Sequence, residues 1–193
     1  MDRKRLVQIQ EALRNEDLSG WLFYDFRGSD PLAYSVLGLS THEISTRRWY
    51  YFIPARGEPT GIVSTVEPHK LDQLCGRKIR FFTWEEHDNA IASVLDGSER
   101  IAMQYSPRNA IPYISRVDAG TIELVRQCGV EVVSSADLIQ IFEAVWSEEQ
   151  LASHLRAASA VRETVEAAFV FLRQEIGATE YQVQQFILNR FEA

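Results

Sequence analysis

The chain has 193 residues, of which 46% are hydrophobic and 24% are charged, and this composition excludes an intrinsically disordered protein. Its formal net charge of -7 argues against a nucleic-acid-binding surface, because such surfaces normally carry clustered basic residues. We therefore expect small molecules, peptides or other proteins as partners, and no nucleic acid.

The cellular setting is indicated by the cysteines and the N-terminus. Cys75 and Cys128 lie far apart with no Cys-x-x-Cys spacing, and no long apolar stretch follows the charged N-terminus. No apolar run approaches the ~18 residues of a membrane span. These features predict a cytoplasmic protein with reduced thiols and no membrane association.

Hydrophobic periodicity and turn residues predict short helices and strands along the first 145 residues. Predicted helices lie at residues 3–14, 31–37, 67–74, 85–95, 118–128 and 136–145. Predicted strands lie at residues 21–24, 48–53, 61–65, 79–83, 100–105 and 131–134. The second and third strands are separated by a turn at residues 56–58, which indicates a hairpin. A hairpin followed by alternating strands and helices predicts an α/β fold with a mixed sheet flanked by helices.

The pattern changes after Trp146. Ser147 and Gln150 form the sequence of a capping box, and helical spacing of apolar residues then continues to Gly177. A second capping box at Thr179 opens another amphipathic helix. Two helices without a strand indicate a second domain of which only the first helices are present, because no Gly, Asn or Pro closes the last helix before Ala193.

Several short stretches, in this order and spacing, resemble one branch of the creatinase, prolidase and Xaa-Pro aminopeptidase group of metallopeptidases. They are YSVLG at 34–38, TRRW at 46–49, MQYSP at 103–107, AIP at 110–112, VDAGT at 117–121 and VVSSADL at 132–138. The resemblance covers the whole chain. It implies an N-terminal α/β domain of ribonuclease H-like topology at residues 1–145, and the first helices of an incomplete "pita-bread" catalytic domain at residues 146–193.

The resemblance also implies what the complete protein does. The family binds two divalent metals (Mn, Co or Zn) through two Asp, one His and two Glu, on segments expected beyond Ala193, so we expect no metal site, no catalytic residue and no cofactor in this chain. The implied reaction is hydrolysis of peptides with proline in the second position by a metal-bridging hydroxide. The chain alone is expected to be inactive and to contribute to a homodimer and to the substrate entrance. His42 and Arg48, in a polar loop at residues 40–48, are the predicted substrate-facing residues.

Other interpretations of these residues are more ordinary. Arg48 could pair with a neighbouring carboxylate while His42 faces solvent. The acidic run at residues 85–88 could bind a metal, but a solvated helix start is favoured because acidic groups suit the positive end of a helix dipole. The basic and aromatic residues 47–51 could bind single-stranded nucleic acid, but a half-buried strand is favoured.

Two further functions stay open on the sequence. One is a stand-alone binding or dimerisation module derived from the peptidase. The other is a ribonuclease H-like nuclease, because Asp25 ends the first strand where such an enzyme places a metal-binding carboxylate. A strand-end turn at residues 25–28 is the favoured interpretation of Asp25, since no convincing carboxylate partners accompany it.

Overall fold

A six-stranded mixed sheet forms the centre of the first of two units into which the chain divides, Met1–Ala144 and Val145–Ala193. The structure is a computed structural model, and it describes residues 3–41 and 45–192. The strands are β1 (Gly20–Asp25), β2 (Trp49–Pro54), β3 (Thr60–Ser64), β4 (Arg77–Phe81), β5 (Arg100–Met103) and β6 (Glu131–Ser134). They lie in the order β4-β3-β2-β1-β5-β6. β2 is antiparallel to β1 and β3, and the other neighbouring pairs are parallel.

Helices cover both faces of this sheet. The helices of the first unit are α1 (Arg3–Asn15), α2 (Pro31–Leu37), α3 (Trp84–Leu95), α4 (Ala119–Gln127) and α5 (Ala136–Glu143). Buried residues of α1, α2 and α5 form one core with the sheet, and those of α3 and α4 form the other. The predicted α/β fold class is confirmed. Strands β1, β2 and β3 form an antiparallel meander, and β5 and β6 continue the sheet in parallel on the other side of β1, as in ribonuclease H-like topology.

Strand β1 shows how one segment supplies both cores. Side chains of a strand alternate between the two faces, so Trp21 and Phe23 pack in the core of α1, α2 and α5, while Leu22 and Tyr24 pack in the core of α3 and α4. All six residues of β1 are buried. Asp25 therefore lies on the face of Trp21 and Phe23, which is the face covered by α1, α2 and α5.

One predicted element is wrong. Residues 65–74, which include the predicted helix at 67–74, form successive turns with hydrogen bonds between residues three apart, such as Lys70 N to Glu67 O at 3.1 Å. Leu71 has φ of 69°, a left-handed value that an α-helix does not accept. The other predicted elements are present, with boundaries displaced by one or two residues at most ends.

The second unit contains α6 (Glu148–Gln174) and α7 (Glu180–Glu192). Both capping boxes form: Ser147 Oγ accepts from Gln150 N at 3.1 Å, and Thr179 Oγ1 accepts from Gln182 N at 3.3 Å. The rings of Phe171 and Phe186 stack at 4.7 Å and join the two helices.

Two observations bear on the setting of the protein. Within the described residues, no helix is both long and apolar enough to cross a membrane. Cys75 and Cys128 are free thiols.

Candidate functional site

A concave site of the first unit lies where β1 ends and β2 begins, on the face covered by α3 and α4. Tyr24 and Tyr50 are cross-strand partners in the β1–β2 register, and their ring centroids are 5.0 Å apart. Arg48 precedes β2 directly and is exposed. The antiparallel pairing therefore brings an arginine to the end of the strand that carries Tyr24.

These residues form one wall of a pocket of about 340 Å³. Its lining consists of Tyr24, Phe26 and Arg48 from the strands, and Asp118, Gly120, Thr121 and Leu124 from the start of α4. The pocket thus has a guanidinium on one side and a carboxylate on the other, with aromatic and aliphatic surface between them. Such a mixed lining suits a ligand that carries both charge and apolar groups.

The start of α4 holds the acidic wall in place. Asp118 caps the helix, because its carboxylate accepts hydrogen bonds from Thr121 N at 2.9 Å and from Thr121 Oγ1 at 2.8 Å. Burial alone would raise the pKa of Asp118, but the hydrogen bonds from Thr121 outweigh it and hold the pKa below its usual value. Asp118 is therefore an anion at neutral pH.

A buried polar chain supports the strand wall from behind. His87 Nδ1 lies 2.7 Å from Asp88 Oδ1, and His87 Nε2 lies 3.0 Å from the Tyr50 hydroxyl. An ionised carboxylate can only accept, so Nδ1 carries the proton and the Tyr50 hydroxyl donates to Nε2. Burial lowers the pKa of His87, and the charge of Arg48 lowers it further, so the ring is neutral at pH 7. This arrangement fixes the orientation of the Tyr50 hydroxyl.

Arg48 acts electrostatically on the same groups. Burial raises the pKa of both Tyr24 and Tyr50, and the positive charge of Arg48 opposes that rise in each case. Within the part of the chain that the structure describes, no carboxylate forms an ion pair with Arg48. The Arg48 guanidinium lines the pocket and also interacts with the Tyr50 hydroxyl. His42, the other predicted substrate-facing residue, lies outside the described residues.

Asp25, the residue of the nuclease hypothesis, has a structural role. It is fully buried, and its carboxylate accepts from Gly28 N at 3.1 Å, Asp30 N at 3.0 Å and the Tyr34 hydroxyl at 3.2 Å. It lies on the face opposite Asp118, so these carboxylates do not converge. The strand-end turn is confirmed. Residues 3–41 and 45–192 contain no group of three or more His, Cys, Asp or Glu side chains placed to hold a metal ion.

The aromatic residues at 49–51, at the start of β2, do not offer a stacking surface. Trp49, Tyr50 and Tyr51 are all buried, on both faces of the sheet. The predicted half-buried strand is thus a fully buried one. Bases have no access to these rings, so the stacking contacts required by the nucleic-acid interpretation cannot form.

The sequence interpretation missed the buried position of His87, which was expected at a solvated helix start. The sequence pattern does indicate that His87 is buried, because His87 shares helical spacing with Ala90, Ile91 and Val94, all of which are buried. Glu86 does serve the predicted helix start, in a capping box with Thr83.

Neither protein-family models nor curated protein sequences match the chain. Solved structures do. The prolidase from Pyrococcus horikoshii OT3 matches with a TM-score of 0.53 and 17% identity, over 98% of this chain and 48% of that one. The prolidase from Thermococcus sibiricus matches with a TM-score of 0.61 and 15% identity, over 100% of this chain and 50% of that one.

An isolated domain matches as well. The creatinase/prolidase N-terminal domain of an X-Pro dipeptidase from Streptococcus pyogenes has a TM-score of 0.53 and 16% identity, over 72% of this chain and 98% of that one. The fold of this chain is therefore that of the creatinase/prolidase N-terminal domain. The chain spans about half the length of the two prolidases that it matches.

Proposed function

We propose that this chain is the N-terminal domain, with the first helices of the catalytic domain, of a Xaa-Pro aminopeptidase or dipeptidase-like metallopeptidase. The observation that carries the proposal is the span of the fold match. The chain matches over nearly its whole length one half of two prolidases, and 98% of an isolated dipeptidase domain matches it.

The role of the domain is the one that the family resemblance implies. In this proposal the two divalent metals of the reaction are held by the rest of the protein, and we expect this chain alone not to hydrolyse peptides. The domain contributes to a homodimer and shapes the entrance through which a peptide with proline in the second position reaches the metals.

Arg48 is the residue that we assign to the peptide. A guanidinium presents two parallel N–H donors to a carboxylate, and the terminal carboxylate of a short peptide is such a group. Asp118 on the opposite wall suits the peptide ammonium. The Asp88–His87–Tyr50 chain keeps the strand wall rigid behind Arg48. His42, from the preceding loop, is proposed as a second contact.

The proposed setting is the cytoplasm. Both cysteines are unpaired, which is typical of a reducing compartment.

The experiment is a kinetic comparison in the protein expressed from the complete reading frame, with Mn²⁺ supplied. Arg48→Ala is expected to raise KM for a Xaa-Pro dipeptide roughly ten-fold or more, as the loss of one charge-assisted contact does. Arg47→Ala is the matched control, because the neighbouring Arg47 is also exposed, its guanidinium donates to the carbonyl of Thr46, and it does not line the pocket that Arg48 lines.

Equal KM values in the two variants would remove Arg48 from the substrate entrance. Absence of Xaa-Pro hydrolysis in the unsubstituted protein with Mn²⁺, Co²⁺ and Zn²⁺ would overturn the proposed function itself.

A further inference from the structure

A buried hydroxyl lies beneath the pocket that Arg48 lines. Tyr50 is fully buried, and its hydroxyl lies 3.0 Å from His87 Nε2. The same hydroxyl interacts with the Arg48 guanidinium and with Thr121. Arg48 and Thr121 belong to opposite walls of the pocket. The Tyr50 oxygen is therefore a contact that the two walls share, and the other partner of this oxygen is His87.

The positions of Tyr50 and His87 are fixed by the rings around them. The Tyr50 ring lies beside Tyr24 across the β1–β2 register, with ring centroids 5.0 Å apart, and beside His87 at 5.3 Å. The His87 ring also packs edge-on against Phe81 at 5.0 Å, and His87 is only 3% exposed. Close-packed rings keep one orientation, so the Tyr50 oxygen has a fixed place under the pocket.

Each hydrogen bond of this chain runs in one direction. Neutral His87 donates from Nδ1 to Asp88, so Nε2 accepts from the Tyr50 hydroxyl. This bond uses the only proton of the hydroxyl, so the Tyr50 oxygen can only accept from its other neighbours. A guanidinium can only donate. The proton assignment of His87 therefore makes the Tyr50 oxygen an acceptor for Arg48.

The opposite tautomer of His87 would break this arrangement. A proton on Nε2 would donate to the Tyr50 oxygen and turn the hydroxyl proton away from His87, and the Arg48 guanidinium offers no acceptor for it. Nδ1 would then face the Asp88 carboxylate at 2.7 Å as a second acceptor, which is repulsive. The hydrogen bond at one ring nitrogen sets the state of the other, so Asp88 selects the tautomer that suits Arg48.

A fixed acceptor matters for Arg48 because this side chain is exposed. A long exposed side chain loses rotamer freedom when it binds a ligand, and an anchored one loses less. A guanidinium has five N–H donors, so a bond to Tyr50 leaves donors for a carboxylate in the pocket. We propose that His87 is a positioning residue, which holds the Arg48 guanidinium through the Tyr50 hydroxyl in the orientation that receives a ligand carboxylate. The identity of that ligand as a peptide rests on the proposed function.

The proton positions are measured in the 193-residue protein by the nitrogen chemical shifts of the His87 ring at pH 7. The signals are assigned by their loss in His87→Gln. We expect a protonated Nδ1 and an unprotonated Nε2. A ring that is protonated at Nε2, alone or together with Nδ1, overturns the proposal, because Tyr50 then has no acceptor in His87.

The order of the Arg48 side chain is measured by nitrogen relaxation at Nε in the same protein. We expect Arg48 to be more ordered than Arg47, the matched control, which is also exposed and donates to the carbonyl of Thr46. Equal order of the two side chains in the unsubstituted protein overturns the proposal, and this comparison requires no variant to fold.

Variants then test whether His87 is the cause of that order. Tyr50→Phe and His87→Leu should bring Arg48 to the level of Arg47, because each removes one link of the chain. His87→Gln should keep Arg48 ordered, since the Gln side-chain oxygen can accept from the Tyr50 hydroxyl. Equal order of Arg48 in His87→Leu and His87→Gln overturns the role of the Nε2 acceptor.

Kinetics in the protein expressed from the complete reading frame, with Mn²⁺ supplied, test the consequence for binding. His87→Leu should raise KM for a Xaa-Pro dipeptide roughly two- to twelve-fold, the factor that corresponds to immobilising one long side chain, with kcat unchanged. His87→Gln should restore KM. A KM that is unchanged in His87→Leu overturns the proposal. Absence of Xaa-Pro hydrolysis in the unsubstituted protein overturns the proposed function instead, and the two magnetic resonance measurements then decide the role of His87 by themselves.

Discussion

Asp30 and Asp118 cap helices on opposite faces of the sheet, and their surroundings shift their pKa values in opposite directions. Asp30 caps α2 through a bond from Ala33 N at 3.1 Å, and Asp118 caps α4. Burial raises the pKa of Asp30 to about 7, with a contribution from the nearby Asp25 charge, against the lowering effect of the Ala33 bond. The pKa of Asp118 is lowered instead, by its bonds from Thr121.

Stability should therefore fall with rising pH because of Asp30. The folded protein holds the Asp30 proton up to about pH 7, whereas the unfolded chain releases it near 3.8, so the stabilisation present below about pH 4 is lost as the pH rises towards 7. The full shift corresponds to roughly 4 kcal/mol at about 1.4 kcal/mol per pH unit. Asp30→Asn, which keeps the capping oxygen, should remove this dependence and increase the free energy of unfolding at pH 8. Denaturant unfolding between pH 4 and 8 measures it.

Asp118→Asn is the matched control, with the opposite sign. Its lowered pKa contributes stability above the unfolded pKa, and that stability is lost as the pH falls through the folded pKa. The variant should be less stable than the unsubstituted protein at pH 7, with the difference shrinking as the pH falls below about 4. A wild-type stability that rises from pH 4 to pH 7 while Asp30→Asn is flat would contradict the assignment for Asp30.

The Tyr50 hydroxyl should contribute to stability through His87. Tyr50→Phe leaves His87 Nε2 buried without its donor, and we expect a loss of about 1–3 kcal/mol in the free energy of unfolding. Tyr113→Phe is the control, because Tyr113 is mostly exposed. Urea unfolding measures the free energy of unfolding of both variants. Equal values would show that the 3.0 Å contact of Tyr50 with His87 does not contribute to stability.

At the level of single residues, the sequence predicted some positions and missed others. The turn at Asp25 was predictable, because Asp and Gly at a strand end favour local hydrogen bonds. The position of Arg48 at the start of β2 was predictable from the hairpin. The pairing of His87 with Tyr50 was not, because it joins residues 37 apart, and no local pattern encodes a contact across the sheet.

Among the elements, the segment between β3 and β4 departs most from the sequence prediction. Apolar spacing at residues 67–74 favours a helix, but the segment must connect two parallel neighbouring strands and it does so by turns. Leu71 and Leu74 still bury their side chains in the core. Burial thus explains the apolar spacing, and tertiary packing overrides local propensity.

Gly76 shows how tightly this connection packs. Its φ is 94°, and a Cβ placed there would lie 2.1 Å from the carbonyl oxygen of Pro59. Gly76→Ala should therefore combine left-handed strain of about 1–2 kcal/mol with a backbone clash. Gly57→Ala is the matched control, because Gly57 has a φ of 100° but nothing within 4 Å of its Cβ. Thermal unfolding should show a clearly larger Tm loss in Gly76→Ala, and equal losses would contradict the close approach to Pro59.

At the scale of the whole molecule, the second unit differs from the first in how little it buries. Thr164 and Ala168 are the buried residues of α6, and α7 has none among the described residues. Large apolar side chains are exposed instead, at Leu155, Val165, Phe169 and Leu172. Apolar side chains that are exposed together are typical of an interaction surface.

The 193-residue chain should self-associate through residues 145–193. A chain that ends at Ala144 retains both cores of the sheet but lacks this exposed apolar surface, so it should fold independently and associate less than the 193-residue chain. Phe169→Asp should weaken association, because it places a charge in the exposed apolar face. Phe82→Asp is the control, since Phe82 is 77% exposed but belongs to the first unit. Sedimentation velocity measures the association, and a strictly monomeric 193-residue chain would contradict the expectation.

The general architecture was predictable because local sequence patterns determine most of its helices and strands. Periodicity marks the helices and strands, and an antiparallel hairpin followed by alternating helices and strands leaves few topologies for the sheet. The order β4-β3-β2-β1-β5-β6 required the structure, because the place of β4 beside β3 depends on a connection that the sequence did not identify correctly.

The central claim is that this fold serves a peptidase for proline in the second position. The most direct measurement compares hydrolysis of Ala-Pro and Ala-Ala by the protein expressed from the complete reading frame, with Mn²⁺ added, beside the 193-residue chain. We expect cleavage of Ala-Pro with a clear preference over Ala-Ala in the complete protein, and no cleavage by the 193-residue chain. Failure of the complete protein to cleave Ala-Pro, or equal cleavage of both dipeptides, would contradict the claim.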